Sequence, residues 1–340
     1  PNPLKGFFYF LRQIFSINLF KSPSKDWFKF PNSIMIFSYF IHLDLAKAKK
    51  GIFYSQQWEV LPKLLKSNEI KVNWLHHFLK SDSSKNIKQG SKLLSQFNNN
   101  SVENHSFINS FYSVSDVFIV FFDFIRFLIK SYNLKNINHA FNVKNSNVNL
   151  WPLLKNDFYS STIGNVLIQN LIWIRQMDRV FKQMPYQKLG LYLMENQGWE
   201  RAMLHAWRKY NHGQIIGIQH SSLRFWDLRY FDDFNKKKLN VNYQKPEPDF
   251  TALNGPVALE MYLNSGFNKN NIVKLEALRY LKNKNKLILK DSISKILIVG
   301  DINVEANKLL LKCIEKLDLK DITFSIKFHP GAVIDLNEYS

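Results

Sequence analysis

Residues 190–231, GLYLMENQGWERAMLHAWRKYNHGQIIGIQHSSLRFWDLRYF, read as strand, helix, strand. Leu191–Met194 is a short apolar run that ends at Glu195, and Gln214–Gln219 is a second that ends at His220. Between them Trp199, Ala202, Met203, Ala206, Trp207 and Tyr210 fall at helical spacing. Asn211 to Gly213 supply the stop. Strands joined through a helix run parallel, and open parallel sheets take ligands outside the carboxyl ends of their strands. Glu195 and His220 are therefore expected to point into one crevice.

Outward from this unit the same alternation continues. On the C-terminal side, Phe250–Asn254 reads as a strand and Gly255-Pro256 opens a helix that Gly266 ends. Ile272–Leu275 is a further short strand. KNKNK at 282–286 is a polar break and a candidate linker. Ile296–Gly300 starts a new unit. Its helix carries Ala306, Leu309, Leu310, Cys313, Ile314 and Leu317, and the strand Ile322–Phe328 runs into His329-Pro330-Gly331. On the N-terminal side, Ile34–Ile41 and Ile70–Leu75 read as strands and Trp58–Leu65 as a helix. Gly51–Ser55 reads as a turn or short strand. Residues 81–105, rich in Ser, Asn and Lys, suggest a long polar excursion. Residues 106–132 and 151–182 read as helix, and the Asn-rich 133–150 as loop.

These elements predict an α/β chain with two Rossmann-like domains and parallel sheets. The first spans 1–285, with helical insertions over about 81–188. The second, 286–340, looks incomplete, because only nine residues follow Gly331. Pro1 stands where a start methionine would, so a fragment or a processed chain is expected.

The 340 residues carry a formal net charge of +19. Such a balance suits nucleic acid, anionic lipid or a phosphorylated substrate. The excess is mostly Lys and travels with abundant Asn, Ile and Phe, which points to coding bias and a general anionic preference rather than a dedicated nucleic-acid surface. The single cysteine, Cys313, excludes an intrachain disulfide and reads as a small core residue on an apolar helix face. Phe7–Phe20 is too short to span a bilayer and reads either as an interfacial segment or as a terminal helix packed on its own domain. Val117–Ile129 is interrupted by Asp123 and Arg126 and reads as a buried amphipathic helix.

The polar residues concentrate after the strands. Glu195 can act as a general base or accept from sugar hydroxyls, or its loop can serve only to cap a helix through Asn196. His220, Ser221 and Arg224 can hold an anion, or form a turn with Arg224 paired to Asp227. Trp226, Tyr230 and Phe231 are read as core ahead of a sugar-stacking role, and Lys236–Lys238 as a solvated loop. Glu276 and Arg279 follow another strand. Gly300 and Asp301 precede a helix N-terminus whose amides can meet phosphate. Lys327 faces away from the core, and Pro330 stops the strand and leaves His329 at the sheet edge, where it can donate to phosphate. No Walker loop, GxSxG elbow, HExxH or GxGxxG occurs. The nearest acidic pair is Asp232-Asp233, and no required metal is expected.

The segments MENQGWERAMLHAWRKY, GIQHSSLRFWDLRYF, PEPDFTALNGPVALEMYLNSGF and LEALRY, with YSQQWEVLPKLLKSNEIKVNWLHHF at 54–78, resemble a family of bacterial surface-carbohydrate biosynthesis proteins. Its wider relatives are GT-B-type glycosyltransferases. The terminal KFHP resembles the His-Pro motif of transferases that use CMP-activated Kdo or sialic acid. The resemblance implies a cytoplasmic enzyme, peripheral on the inner membrane, that moves a sugar from a nucleotide donor to lipopolysaccharide, O-antigen or capsule. It places the donor phosphate on His329, with Pro330 shaping the turn and Lys327 beside it. The acidic-acidic-Gly motif of sialyltransferases is not evident, and a serine-rich element that follows His-Pro in those families would lie beyond Ser340, so the donor stays open. Glu195 is the expected base, and His220, Ser221, Arg224, Glu276 and Arg279 are expected in the crevice. The expected partners are a nucleotide sugar, a glycan or lipid-linked glycan and an anionic membrane, with no nucleic acid and no cofactor. A non-catalytic binding or assembly protein of the same fold is the alternative, and a basic nucleic-acid-binding protein a more distant one.

Overall fold

In the computed structural model the described residues are 3–16, 27, 29–99, 102–134, 136–224, 227, 229–231, 245–278, 295–317, 322–329 and 331–332. Two compact units divide between Lys282 and Asn283. The first contains α1 (Pro3–Ser16), β1 (Ile34–Phe40), α2 (Leu45–Ala48), α3 (Leu61–Ser67), β2 (Val72–Phe78), α4 (Ile87–Phe97) and β3 (Glu103–Phe107). It continues through α5 (Val114–Tyr132), α6 (Trp151–Ile163), α7 (Asn165–Gln183), β4 (Leu189–Met194), α8 (Gly198–Lys209), β5 (Gln214–Gln219), β6 (Phe250–Asn254), α9 (Pro256–Asn264) and β7 (Ile272–Leu275).

Every pairing among these seven strands is parallel, in the order β3-β2-β1-β4-β5-β6-β7. The chain starts mid-sheet, winds to one edge, then returns through α5, α6 and α7 to lay β4 against β1. That is a Rossmann-like, doubly wound sheet, with its reversal between β1 and β4. Alternate residues feed opposite cores, as parallel strands covered on both faces require. Met35, Phe37, Tyr192 and Met194 pack under α7, α8 and α9, while Ile36, Phe40, Leu191 and Leu193 pack against α2, α3 and α4.

Near the amino ends of the central strands lies a buried polar knot. The Gln187 Nε2 donates to the carbonyls of Phe30 and Pro185, each at 3.0 Å. Its Oε1 accepts from Ser33 Oγ at 2.8 Å and Asn73 Nδ2 at 2.9 Å. Ser33 leads into β1, Asn73 belongs to β2 and Gln187 leads into β4, so one side chain fixes three strands.

The sequence misread several segments. Residues 81–105 are not one polar excursion but hold α4 and all but the end of β3. The strand ENHSF is polar yet fully buried at the edge of the sheet. Asn98, just after α4, supplies part of what a further strand would: its Oδ1 accepts from His105 N at 2.6 Å and its Nδ2 donates to His105 O at 3.0 Å. The helical stretch 151–182 breaks in two at Gly164, where a Cβ would meet the Ser160 Cα at 2.9 Å. Of the two readings of Phe7–Phe20, the described part follows the packed one. Phe10 is buried against α5 and α7, and the Tyr9 hydroxyl bonds Gln169, while residues 17–20 lie outside the described residues.

Helix α5 is fixed by a Ser113/Asp116 capping box and by ion pairs from Arg179 to Asp116 at 2.9 Å and from Arg175 to Asp123 at 2.7 Å. It is buried along one face only, through Val117, Val120 and Phe124. Among the described residues no helix is long and apolar enough to cross a membrane.

The second unit shows β8 (Lys295–Val299), α10 (Val304–Glu315) and β9 (Thr323–Lys327), with β8 parallel to β9. Leu311 is buried, but Cys313 is exposed, contrary to its expected core role. With one described helix over two strands, only a narrow strip of α10 is covered. The expected linker at 282–286 begins at the unit boundary, and all of it lies outside the described residues.

Replacing Gln187 with Leu removes two donors and an acceptor from a site without water access. The expected loss is about 3 kcal/mol of stability, read as a lower urea midpoint with an unchanged denaturant slope. An unchanged midpoint would show that the knot does not hold the strands.

Candidate functional site

The reversal of strand order between β1 and β4 makes their carboxyl ends the natural place for a ligand. β1 leads into Ile41 and His42, β4 into Glu195 and Asn196, and β5 into His220. Met194 pairs with Gln219, so Glu195 and His220 leave adjacent strands at the same level. Both are half-buried. A cavity of about 270 Å³ lies here, lined by His42, Gln56, Gln57, Glu59 and His220. Thus the structure places His220 on a cavity with four residues that sequence reasoning did not single out. Glu195 is not among its lining residues.

Two of these four sit in left-handed backbone, His42 at φ 52° and Glu59 at φ 46°. Asn196, beside Glu195, does the same at φ 55°. Each such residue costs about 1 kcal/mol relative to ordinary backbone, and strain of this kind gathers at functional sites. Glu59 is buried and accepts from the Tyr54 hydroxyl at 2.5 Å. Gln57 is only 8% exposed, and its Oε1 has no hydrogen-bond partner among the described residues. Gln57 lines the cavity, but that oxygen is itself shielded from solvent and so is not presented to a ligand there.

The loop carrying Glu195 is organised from beneath by Glu200. This buried carboxylate accepts from the backbone N–H of Glu195 at 3.1 Å, Asn196 at 2.9 Å and Gln197 at 3.1 Å. The helix cap is Gln197, in a capping box with Glu200, rather than Asn196. Asn196 instead accepts from Arg201 at 3.1 Å. The signal for this was in the sequence, because Gln197 and Glu200 have capping-box spacing. Burial pushes the Glu200 carboxyl up to about 7, against the pull of its three backbone donors and Arg201. Trp199 donates to the Tyr39 hydroxyl at 2.8 Å and packs edge-on to His77. Burial pushes the Tyr39 phenol up to about 12, and the Glu195 charge adds to that push.

Tyr230 is core, as expected. Its hydroxyl donates to the Met194 carbonyl at 2.9 Å, Ser221 also hydrogen bonds this phenol, and Phe231 packs alongside. Arg224 is exposed and does not take Asp227, whose carboxylate is held by Arg229 at 2.6 and 2.9 Å. The Arg229 guanidinium holds the Asp227 carboxyl below its usual range. Further along the sheet, Gln219 accepts from Asn254 N at 2.9 Å and ties β5 to β6. A second cavity of about 610 Å³ follows the ends of β6 and β7, with Asn254, Gly255, Leu259, Lys274 and Glu276 on its wall. Gly255, at φ 96°, makes the turn into α9. A cavity of about 690 Å³ near Arg208, Gln214 and Asp249 sits at the amino ends of β5 and β6, away from the crevice.

In the second unit Lys327 and His329 are exposed. Gly331 N donates to His329 Nδ1 at 3.0 Å, so the imidazole proton resides on Nε2, which is left as a donor. The amides after Gly300 are less available than expected. Asp301 N goes to Asn307 Oδ1 at 2.6 Å and Asn303 N to Asp301 Oδ1 at 2.9 Å. Asn303 caps Glu305 N and Ala306 N. Gly300 is required by space, since a Cβ would meet Asn307 Oδ1 at 2.6 Å. Pro330, Arg279, Trp226, Asp232, Asp233 and Lys236–Lys238 lie outside the described residues. Among the described residues no group of three or more His, Cys, Asp or Glu side chains is placed to hold a metal ion.

No protein-family model matches the chain, and no curated protein matches it. The resemblance to surface-carbohydrate proteins therefore rests on the quoted motifs.

Because Glu200 is held above its unfolded value of 4.5, the folded chain takes up its proton more readily than the unfolded one. Its contribution to stability is full below about 4.5 and declines as the pH rises to about 7. Glu200→Gln leaves backbone donors unmet and is expected to cost about 1–3 kcal/mol at low pH. The difference in melting temperature from the wild type should narrow across that window. A difference that stays constant with pH would refute the titration.

Proposed function

We propose that the chain is a glycosyltransferase of the GT-B kind, moving a sugar from a nucleotide-activated donor, CMP-linked by the KFHP resemblance, to a hydroxyl of a bacterial surface glycan. The observation that carries this is the cavity at the carboxyl ends of the strands, with His42, Gln56, Glu59 and His220 on its wall. Its polar lining suits the hydroxyls of a sugar.

In this reading the acceptor hydroxyl loses its proton to Glu195 as its oxygen bonds the anomeric carbon. The bond from that carbon to the donor phosphate breaks, and the electron pair leaves with the phosphate. By the KFHP resemblance, a donor phosphate would be met in the second unit by His329 Nε2–H, with Lys327 adding positive charge. Glu276 and Asn254 hold the more distant part of a substrate.

A thermal-shift series of the chain with CMP, CDP, UDP and GDP tests this. One nucleotide is expected to raise the melting temperature, since a ligand present at a hundredfold its Kd stabilises by about 2.7 kcal/mol. His329→Ala should abolish that shift. Glu195→Gln should keep it and slow transfer about a hundredfold or more. If no nucleotide stabilises the chain while a surface glycan does, the protein is a non-catalytic glycan-binding member of the fold and the transferase reading fails.

A further inference from the structure

Helix α5 carries two apolar stripes. One is buried. The other, Phe118, Phe122, Ile125, Ile129 and Tyr132, follows at steps of four, three, four and three residues and so shares one helix face. Phe118, Phe122, Ile129 and Tyr132 are 60%, 67%, 68% and 67% exposed. The helix that follows extends this surface. α6 buries none of its residues, and Leu153 is 76% exposed. Phe141, Trp151 and Phe158 pack on one another in tilted and edge-on contacts and fasten the intervening turns to α6. A run of large apolar side chains on this scale marks a surface that meets something.

The charges say what it meets. Residues 125–160 contain five Lys or Arg and one Asp. Arg126 and Lys130, one turn apart, flank the exposed stripe. The carboxylates of α5 itself, Asp116 and Asp123, are already bonded to Arg179 and Arg175 on α7. Among the described residues neither Arg126 nor Lys130 has an ion-pair partner, and an apolar helix face bordered by such cations is the pattern of a helix that lies in a membrane interface, with its side chains among the acyl chains and its cations at anionic headgroups. A second copy of the chain is a poorer fit. A self-complementary contact across this stripe would bring Arg126 and Lys130 up to their own equivalents in a protein already at +19.

We infer that the α5–α6 hairpin is a docking surface for an anionic phospholipid membrane, with the α5 stripe inserted at the level of the headgroups. This inference is independent of the transferase reading. It also moves the membrane contact away from the N-terminal segment, where the sequence had suggested it, to the layer between β3 and β4.

Co-sedimentation of the chain with phosphatidylglycerol vesicles, compared with phosphatidylcholine vesicles, tests the inference. Binding is expected on the anionic vesicles and should weaken with added salt. Phe122→Ser combined with Ile129→Ser should weaken it about tenfold or more. Arg126→Gln combined with Lys130→Gln should weaken it only on the anionic vesicles. These side chains are exposed, so the melting temperatures should stay near that of the wild type. In a Cys313→Ser background, a polarity-sensitive dye on Ile129→Cys should shift to the blue when anionic vesicles are added. No sedimentation, sedimentation indifferent to both double variants, or an unshifted dye would overturn the proposal. A dimer seen by light scattering and lost in Phe122→Ser/Ile129→Ser would overturn it in favour of a second copy.

Discussion

The side chain of Gln187 constrains more of this fold than its size suggests. In a parallel sheet, a slip of one residue sends every side chain to the wrong face. Here β1, β2 and β4 are all referenced to one buried amide at their amino ends. The residues at the other ends inherit that reference. Tyr39, His77 and Trp199 meet, and Glu195 emerges level with His220, because the strands beneath them cannot slide. The knot is polar, and every bond in it is local to the sheet. It therefore gives the hydrophobic cores above and below a fixed frame to pack against.

At the carboxyl ends the frame hands over to loops, and there the chain departs from easy conformations. His42, Glu59 and Asn196 hold left-handed backbone without being glycine. Glu200 gathers the three N–H groups of the loop above it, and Tyr230 bonds the last carbonyl of β4. The result is a loop beside the cavity whose backbone is held from below, next to His220 on the cavity wall. A glycan-transfer role fits such a loop, because hydroxyl recognition depends on donors and acceptors that do not move when the ligand arrives.

Much of this was legible in the sequence. The unit β4–α8–β5 appears in the order and close to the bounds that its periodicity implies, and Glu195 and His220 stand at the strand ends. β3 was not legible, because Glu, Asn and Ser have low strand preference and ENHSF lacks an alternating apolar pattern. Its burial comes from α4, which covers it, and no local signal announces that. The same is true of Gln57 and Glu59, which lie in a turn between β1 and α3 and reach the crevice only after the sheet forms. Glu200 was legible in principle from its spacing to Gln197 but reads as an ordinary cap until its burial is known. The exposed stripe on α5 was hidden differently. Val117–Ile129 read as a buried amphipathic helix, and an apolar residue in a sequence carries no mark of which face it will occupy, so the apolar character of the exposed face was not foreseen.

Asn98 has a consequence for how these molecules behave in a crowd. The outermost strand of an open sheet is a template on which foreign strands can assemble. At β3 both backbone groups of His105 are already engaged by the Asn98 amide, and Asn104 bonds the carbonyl of Trp27. At the far edge β7 is only four residues long and carries Lys274. Both margins of the sheet are thus sealed against growth by hydrogen-bonded stacking. Fibrillar polymerisation through this sheet is disfavoured.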